Sequence, residues 1–182
     1  MITDIDTFLR YFRGVHRRTM RDVGALPPEA EGWSPPALRQ AQDERGDYAW
    51  SIGELVRHVA GTRMYFARAY RGEGWIADWP PPITEKQSSW IPALEASFEE
   101  FDRRIQGTPN EWLTRKIEML DTEASLSGWR VLLMMVEHEV HHRSQIDTYA
   151  GLQGWKVPQI YDRSAEEVGL QQARQQELHP EG

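Results

Sequence analysis

Apolar residues recur every three or four positions in four stretches of this 182-residue chain, the spacing of amphipathic helices. The first stretch covers residues 3–23, where Thr3 or Asp4 stands in a capping position. The second begins at Ser51, which is followed three residues later by Glu54, and extends to about residue 70. A serine with glutamate at this spacing is a capping box, so a helix is predicted to start at this point.

Two more helices follow. Ser88 is a candidate N-cap for the third, whose apolar residues continue to Ile105. Residues 107–128 alternate only weakly, which predicts a short hairpin or an irregular crossover. The fourth helix is expected over residues 127–152, with glycines close to its end. A short helix is expected after Ser164, packed on the bundle or on another subunit, with a polar tail from about residue 170.

Long connections rich in proline and glycine separate the first three helices, at residues 26–50 and 71–87. Four helices with two long connections predict an all-α four-helix bundle, and the chain length suits a single domain over residues 1–182. The tryptophans in or beside the connections are expected to hold these loops against the bundle ends, and some of them to form the walls of a substrate pocket: Trp33, Trp50, Trp75, Trp79, Trp112 and Trp155.

Composition removes several classes of function. The chain has no cysteine, which excludes disulfides, thiolate metal sites and cysteine nucleophiles. Its net charge of −7 disfavours nucleic-acid binding, and the basic cluster at residues 17–21 is interpreted as solvated surface. No signal peptide and no long apolar span is recognisable, so a soluble cytoplasmic protein without membrane contact is expected.

Histidines form the main candidate site. His138 and His142 lie one helical turn apart, within about 40° of each other on the face that carries the apolar stripe. His141 lies to the side of this face and is either a third inward group or a boundary residue, so it is a candidate for the surroundings of the site. On the second helix His58 shares its face with apolar residues, so it is also expected to point into the bundle.

Three imidazoles from two facing helices predict a divalent-metal site. Such a nitrogen set suits zinc, nickel or iron and leaves positions open for water or substrate. A buried histidine that is merely hydrogen-bonded is the alternative, chiefly for His58, but three of them facing an apolar interior would each need a partner. His16, interpreted as lying off the apolar stripe, and His179 in the tail are assigned no function.

The segment "HEVHH" also matches the zinc-protease pattern, with His138 and His142 as ligands and Glu139 as general base. This pattern is short, and a protease also needs a further ligand downstream. The candidates for that ligand are Glu166, Glu167 and His179. The protease is therefore the less favoured hypothesis.

The segments "WSIGELVRHVAG" and "GWRVLLMMVEHEVHHRSQIDTYAGLQGW", followed by "PQIYDRSAEEV", resemble the DinB-like (DinB/YfiT) family of metal-binding four-helix bundles. The resemblance runs from the first helix to about Val168 and implies His58, His138 and His142 as ligands of nickel or zinc. It also implies a homodimer. Ser144 stands where the family usually has glycine, and it lies about 120° from the ligand face.

The resemblance implies two activities, a metal-dependent hydrolase or an S-transferase that uses a low-molecular-weight thiol on a small-molecule substrate. The alternative is a non-catalytic metal-containing binding or stress-response protein. Gln145 is expected to bind a water on the metal, to orient a ring nitrogen, or to bond another helix. Tyr65 and Tyr149 are candidates for the mouth of a pocket or for core packing, Glu54 is assigned to the capping box, and no general base is identified.

Overall fold

The computed structural model describes residues 3–36, 50–77, 84–120 and 122–178. Trp79, His179 and most of the predicted connection between the first two helices lie outside these ranges. The described residues form five α-helices and one antiparallel hairpin. In chain order these elements are α1 (Ile5–Gly24), α2 (Ile52–Arg71), α3 (Trp90–Ile105), β1 (Lys116–Glu118), β2 (Ser125–Ser127), α4 (Gly128–Leu152) and α5 (Ala165–Leu178).

Side-chain caps fix the starts of the first two helices. The carboxylate of Asp4 accepts a hydrogen bond from the backbone N–H of Thr7 at 2.7 Å, as an N-cap should. Ser51 and Glu54 form both halves of the predicted capping box. The third start was placed wrongly: Ser88 lies inside a 3₁₀ turn, Gln87–Ser89, and α3 begins after it without a side-chain cap.

The first four helices pack as the predicted bundle. α1 and α2 each pack against both α3 and α4, so they lie diagonally opposite one another. This arrangement brings α2 and α4, which carry the candidate ligands, into direct contact. Among the helices in the described part of the chain, none is both long enough and apolar enough to cross a bilayer.

The core has two apolar parts. One includes the aromatic residues Phe8, Phe12, Tyr70, Phe98 and Phe101. The other includes Leu55, Val59, Trp90, Leu94 and Ile146. A polar layer lies between the two parts at the middle of the bundle and is defined by the buried residues His16, Thr19, Arg63, Ser97 and Glu139.

The predicted hairpin is confirmed, with Ile117 paired to Leu126 in antiparallel register. Its second strand runs directly into α4, where Gly128 is the first helical residue. A Cβ atom at Gly128 would lie 2.2 Å from the carbonyl oxygen of Trp112, far inside van der Waals contact. Glycine is therefore needed here because the backbone before the hairpin touches the start of α4.

The C-terminal helix is confirmed as an element but not as part of the core. It is longer than expected, since it extends from Ala165 to Leu178, and none of its residues is buried. Val168, Leu170 and Leu178 are exposed apolar residues on it. This helix, α5, was expected to pack on the bundle or on another subunit. The bundle does not bury it, and packing on another subunit in a homodimer stays a prediction.

Candidate metal centre

The structure brings His58, His138 and His142 together between α2 and α4. Nε2 of His58 lies 3.0 Å from Nε2 of His138, and Nε2 of His142 lies 3.1 Å from the same atom. The candidate ligand nitrogens all lie within 4.8 Å of one another. Two nitrogens at the usual zinc distance of about 2.0–2.1 Å lie about 2.9–3.4 Å apart around one ion. The two short distances therefore match those between ligands of a single first-row cation.

Hydrogen bonds at the far side of two rings decide where their protons lie. Nδ1 of His142 is 2.6 Å from Oε1 of Gln145, an oxygen that can only accept, so this Nδ1 carries a hydrogen. The hydroxyl of Thr62 donates to the carbonyl oxygen of His58 at 2.9 Å, so its lone pair faces Nδ1 of His138 at 3.4 Å. Nδ1 of His138 is then also the protonated nitrogen, and Nε2 carries the lone pair in both rings.

The short contact between Nε2 of His138 and Nε2 of His142 therefore joins two lone pairs and is not a hydrogen bond. Two acceptors at this distance repel one another unless a cation lies between them. The donor set thus fits a metal ion better than a hydrogen-bonded histidine core. Of the roles expected for Gln145, the geometry places it as the residue that orients a ring nitrogen.

Burial keeps the three rings neutral, as ligands must be. Desolvation, followed by the neighbouring His142, lowers the pKa of His58 to about 4. Desolvation, followed by the neighbouring rings of His142, His58 and His141, lowers the pKa of His138 to about 3. Desolvation also lowers the pKa of His142, although the hydrogen bond with Gln145 acts in the opposite direction. All three rings offer lone pairs at neutral pH.

Two of the other predicted site residues lie away from the point where the rings meet. His141 is exposed and contacts His142 with ring centroids 4.9 Å apart. Tyr149 does not reach the mouth of a pocket; it is buried in the second part of the core, where its ring meets that of Trp33 at 5.4 Å. The reason is its distance along α4, about two turns past His142.

A cavity of about 610 Å³ opens beside the histidines. His58 and His138 form part of its wall, whereas most of its other described lining is apolar or aromatic and includes Tyr65. Trp50 stands against His58 with ring centroids 4.4 Å apart, and Phe66 stands against His138 at 5.9 Å. Trp50 is one of the tryptophans predicted to hold loops or to form pocket walls, whereas Phe66 was not singled out from the sequence and Thr62 was given no role. Thr62 could have been found, since it follows His58 by one turn.

Glu139 is not the base of a protease. Its side chain is 2% exposed, and both carboxylate oxygens accept hydrogen bonds from Arg63, at 3.0 and 2.9 Å. Thr19 donates a third bond to it at 2.8 Å. A carboxylate with both oxygens bound to a buried guanidinium cannot activate water beside His138. The zinc-protease hypothesis is therefore wrong for this segment.

His16 also differs from expectation, because it is buried rather than off the apolar face of α1. Its ring is 3% exposed and stacks on Phe98 with centroids 4.1 Å apart. Nδ1 accepts a hydrogen bond from Arg63 at 3.1 Å, so the proton lies on Nε2, which donates to Glu95 at 3.2 Å. Burial, followed by the adjacent guanidinium, lowers the pKa of His16 to about 4, against the opposing charge of Glu139.

This low pKa predicts a pH-dependent stability. Below its usual pKa of 6.5 His16 takes up a proton in the unfolded chain, but in the folded chain only below about pH 4, so acid favours unfolding in this window. We expect His16 to contribute a stability loss on the order of 3 kcal/mol between these pH values. Urea denaturation of the wild type and His16→Gln at pH 7 and pH 4.5 measures it. Glutamine cannot take up a proton but still offers one acceptor and one donor, so an equal pH dependence in the two proteins would refute the assignment.

The fold and the site together define a class of protein. It is a helical bundle in which facing helices bring three histidine nitrogens together. The DinB family model matches residues 1–177. The chain therefore belongs to the DinB family, which confirms the resemblance drawn from its motifs. Comparison with curated proteins gave no significant match.

Two solved structures share this fold. A DinB-like protein from Bacillus subtilis superposes with a TM-score of 0.66 at 16% identity, over 85% of this chain and 97% of that one. A DinB-like protein from Bacillus cereus superposes with a TM-score of 0.68 at 16% identity, over 87% of this chain and 99% of that one. At this identity the likeness establishes the all-α bundle and not the activity.

Proposed function

We infer that the protein is a metal-dependent enzyme acting on a small molecule, with His58, His138 and His142 as the ligands of one divalent cation. One observation carries this proposal: of the three histidines that cluster between α2 and α4, His58 and His138 also line a cavity. A site with three protein ligands and an adjoining cavity has the layout of a catalytic centre, because water or substrate could reach a bound metal from the cavity.

The chain's own residues hold and shield this centre. Gln145 and Thr62 keep the lone pairs of His142 and His138 on Nε2, where they face a common point. Trp50 covers His58 and also meets His142, with ring centroids 5.6 Å apart, which limits the access of bulk water. A bound nickel or zinc ion, or iron, would supply a Lewis acid that activates water or a thiol.

Both reaction classes implied by the family fit such a site: hydrolysis with water as nucleophile, and thiol transfer with a low-molecular-weight thiol. Because the chain has no cysteine, the thiol would be a small molecule bound in the cavity. Glu54 lines the cavity, but Oε2 of its carboxylate accepts hydrogen bonds from the backbone N–H and the hydroxyl of Ser51, at 2.7 and 2.8 Å. We assign Glu54 to the helix start and not to proton transfer.

Metal analysis of protein purified without a histidine tag tests the proposal first. We expect close to one nickel or zinc ion per chain, and cobalt-substituted protein should have an absorption spectrum that changes when small anions or thiols are added. Activity in a screen of esters, amides and thiol-transfer substrates should be lost with a chelator and return with metal. A cobalt spectrum indifferent to every added ligand would assign a structural role and overturn the enzymatic one.

A further inference from the structure

The cavity beside the histidines is lined along one side by a single stripe of α2. Arg57, Gly61 and Tyr65 all line it and are spaced four residues apart, so they follow one another along the same face of the helix. The distance from the first to the last along the helix axis is about 12 Å. The stripe begins with a cation, has no side chain at its centre and ends with an aromatic ring.

Arg57 stands at the charged end without a protein partner among the residues that the structure describes. It is exposed, and none of the described carboxylates makes an ion pair or a hydrogen bond with it. The nearby Glu54 directs its carboxylate to Ser51. A guanidinium presents a planar fork of N–H groups that matches a carboxylate. Its place on the cavity wall therefore favours an anionic group on the ligand.

The other end of the stripe is apolar. Tyr65 meets Phe66 and Trp75, with ring centroids 5.6 and 5.3 Å apart. Tyr65 and Phe66 line the cavity, with Trp75 packed against both rings, and they form a wall suited to an aromatic or aliphatic body. At the centre, a Cβ atom on Gly61 would meet no atom within 4 Å, so the glycine leaves room in the cavity beside His58.

We propose that the cavity binds a small organic carboxylate with an aromatic or aliphatic body. Arg57 binds the carboxylate, Gly61 leaves space for the middle of the molecule next to His58, and Tyr65 packs against the apolar end. This proposal deepens the enzymatic function and rests on it in one respect, namely that the ligand is the substrate of the metal centre.

Calorimetry tests the proposal with two probes of the same shape, naphthalen-1-ylacetate and its neutral amide. We expect the wild-type protein, as purified, to bind the carboxylate about twofold to fivefold more tightly, the contribution of an ion pair with an exposed arginine. Arg57→Gln should abolish this preference and leave the affinity for the amide unchanged. Equal affinities in the wild type, or no binding of either probe, would overturn the proposal.

A second pair of variants tests the position of the ligand. Gly61→Leu fills the cavity and should weaken both probes at least about tenfold, since the leucine occupies their volume. Gly151→Leu is the matched control because its Cβ also meets no atom within 4 Å, but it lies at the end of α4 outside the cavity lining. Unchanged binding in Gly61→Leu would contradict the assigned site.

The same experiment separates the two proposals. A carboxylate preference that survives in Arg57→Gln would identify the metal as the anion receptor and refute the role of Arg57. A preference that depends on Arg57 in a protein without bound metal would support this ligand class and refute the enzymatic proposal. Metal analysis of each calorimetry sample distinguishes these results.

Discussion

Alanine in place of any one of His58, His138 and His142 is expected to remove stoichiometric metal from the purified protein. Each substitution leaves two imidazoles, and His58→Ala also leaves both remaining ligands on one helix. Loss of a hydrogen-bond partner of a ligand already weakens metal binding about 10–100-fold, so loss of the ligand itself should weaken it at least about a hundredfold. Elemental analysis of dialysed protein and a competition titration with a chelator measure the change.

His141→Ala is the matched control, because this histidine belongs to the same segment but is exposed and does not join the cluster. It should retain the full metal content. Gln145→Ala should bind metal with an affinity about 10–100-fold lower, since it removes the acceptor that fixes the tautomer of His142. Full metal content in His58→Ala, His138→Ala or His142→Ala would exclude the replaced residue from the ligand set.

Arg63→Met is expected to lower the free energy of unfolding by about 3–5 kcal/mol, the usual cost of breaking a buried ion pair. Arg63 is 1% exposed and bonds Glu139 through two nitrogens. It also donates to the carbonyl oxygen of Leu94 at 2.6 Å and to the hydroxyl of Ser97 at 2.8 Å. Methionine fills a similar volume but leaves the carboxylate of Glu139 without its cation. Urea denaturation measures the loss.

Two further variants separate charge from volume. Arg63→Met combined with Glu139→Leu removes both charges and should recover most of the lost stability. Arg103→Met removes a cation from an exposed pair with Glu100, where the arginine side chain is 70% exposed, and should cost less than about 1 kcal/mol. A loss in Arg63→Met no larger than that in Arg103→Met would show that the buried pair does not stabilise the bundle.

Helical periodicity was enough to predict the four bundle helices and the inward direction of the three histidines. The i,i+4 spacing of His138 and His142 is a local property, and a capping box fixes where α2 starts. The face of His58 follows from the same rule. That these residues meet depends on the packing of α2 against α4, which the bundle fold requires but no local pattern specifies.

The polar layer could not be predicted from helical periodicity. Hydrophobic periodicity assigns charged residues to the surface, so it gave no sign that Arg63 and Glu139 are buried against one another. Their burial depends on a partner in a different helix, 76 positions away in the chain. His16 was misplaced for the same reason, since its partners Arg63 and Glu95 belong to other helices.

This layer also determines which alignment of the helices is allowed. A one-turn slide of a helix is a movement of about 5.4 Å, which a directional ion pair does not tolerate. Such a slip of α2 along α4 would separate Arg63 from Glu139 and, by the same displacement, His58 from His138. Because Glu139 directly follows His138 in the chain, the energy that opposes misalignment of the core also opposes misalignment of the ligands. The same register of α2 against α4 thus forms both the buried ion pair and the histidine cluster.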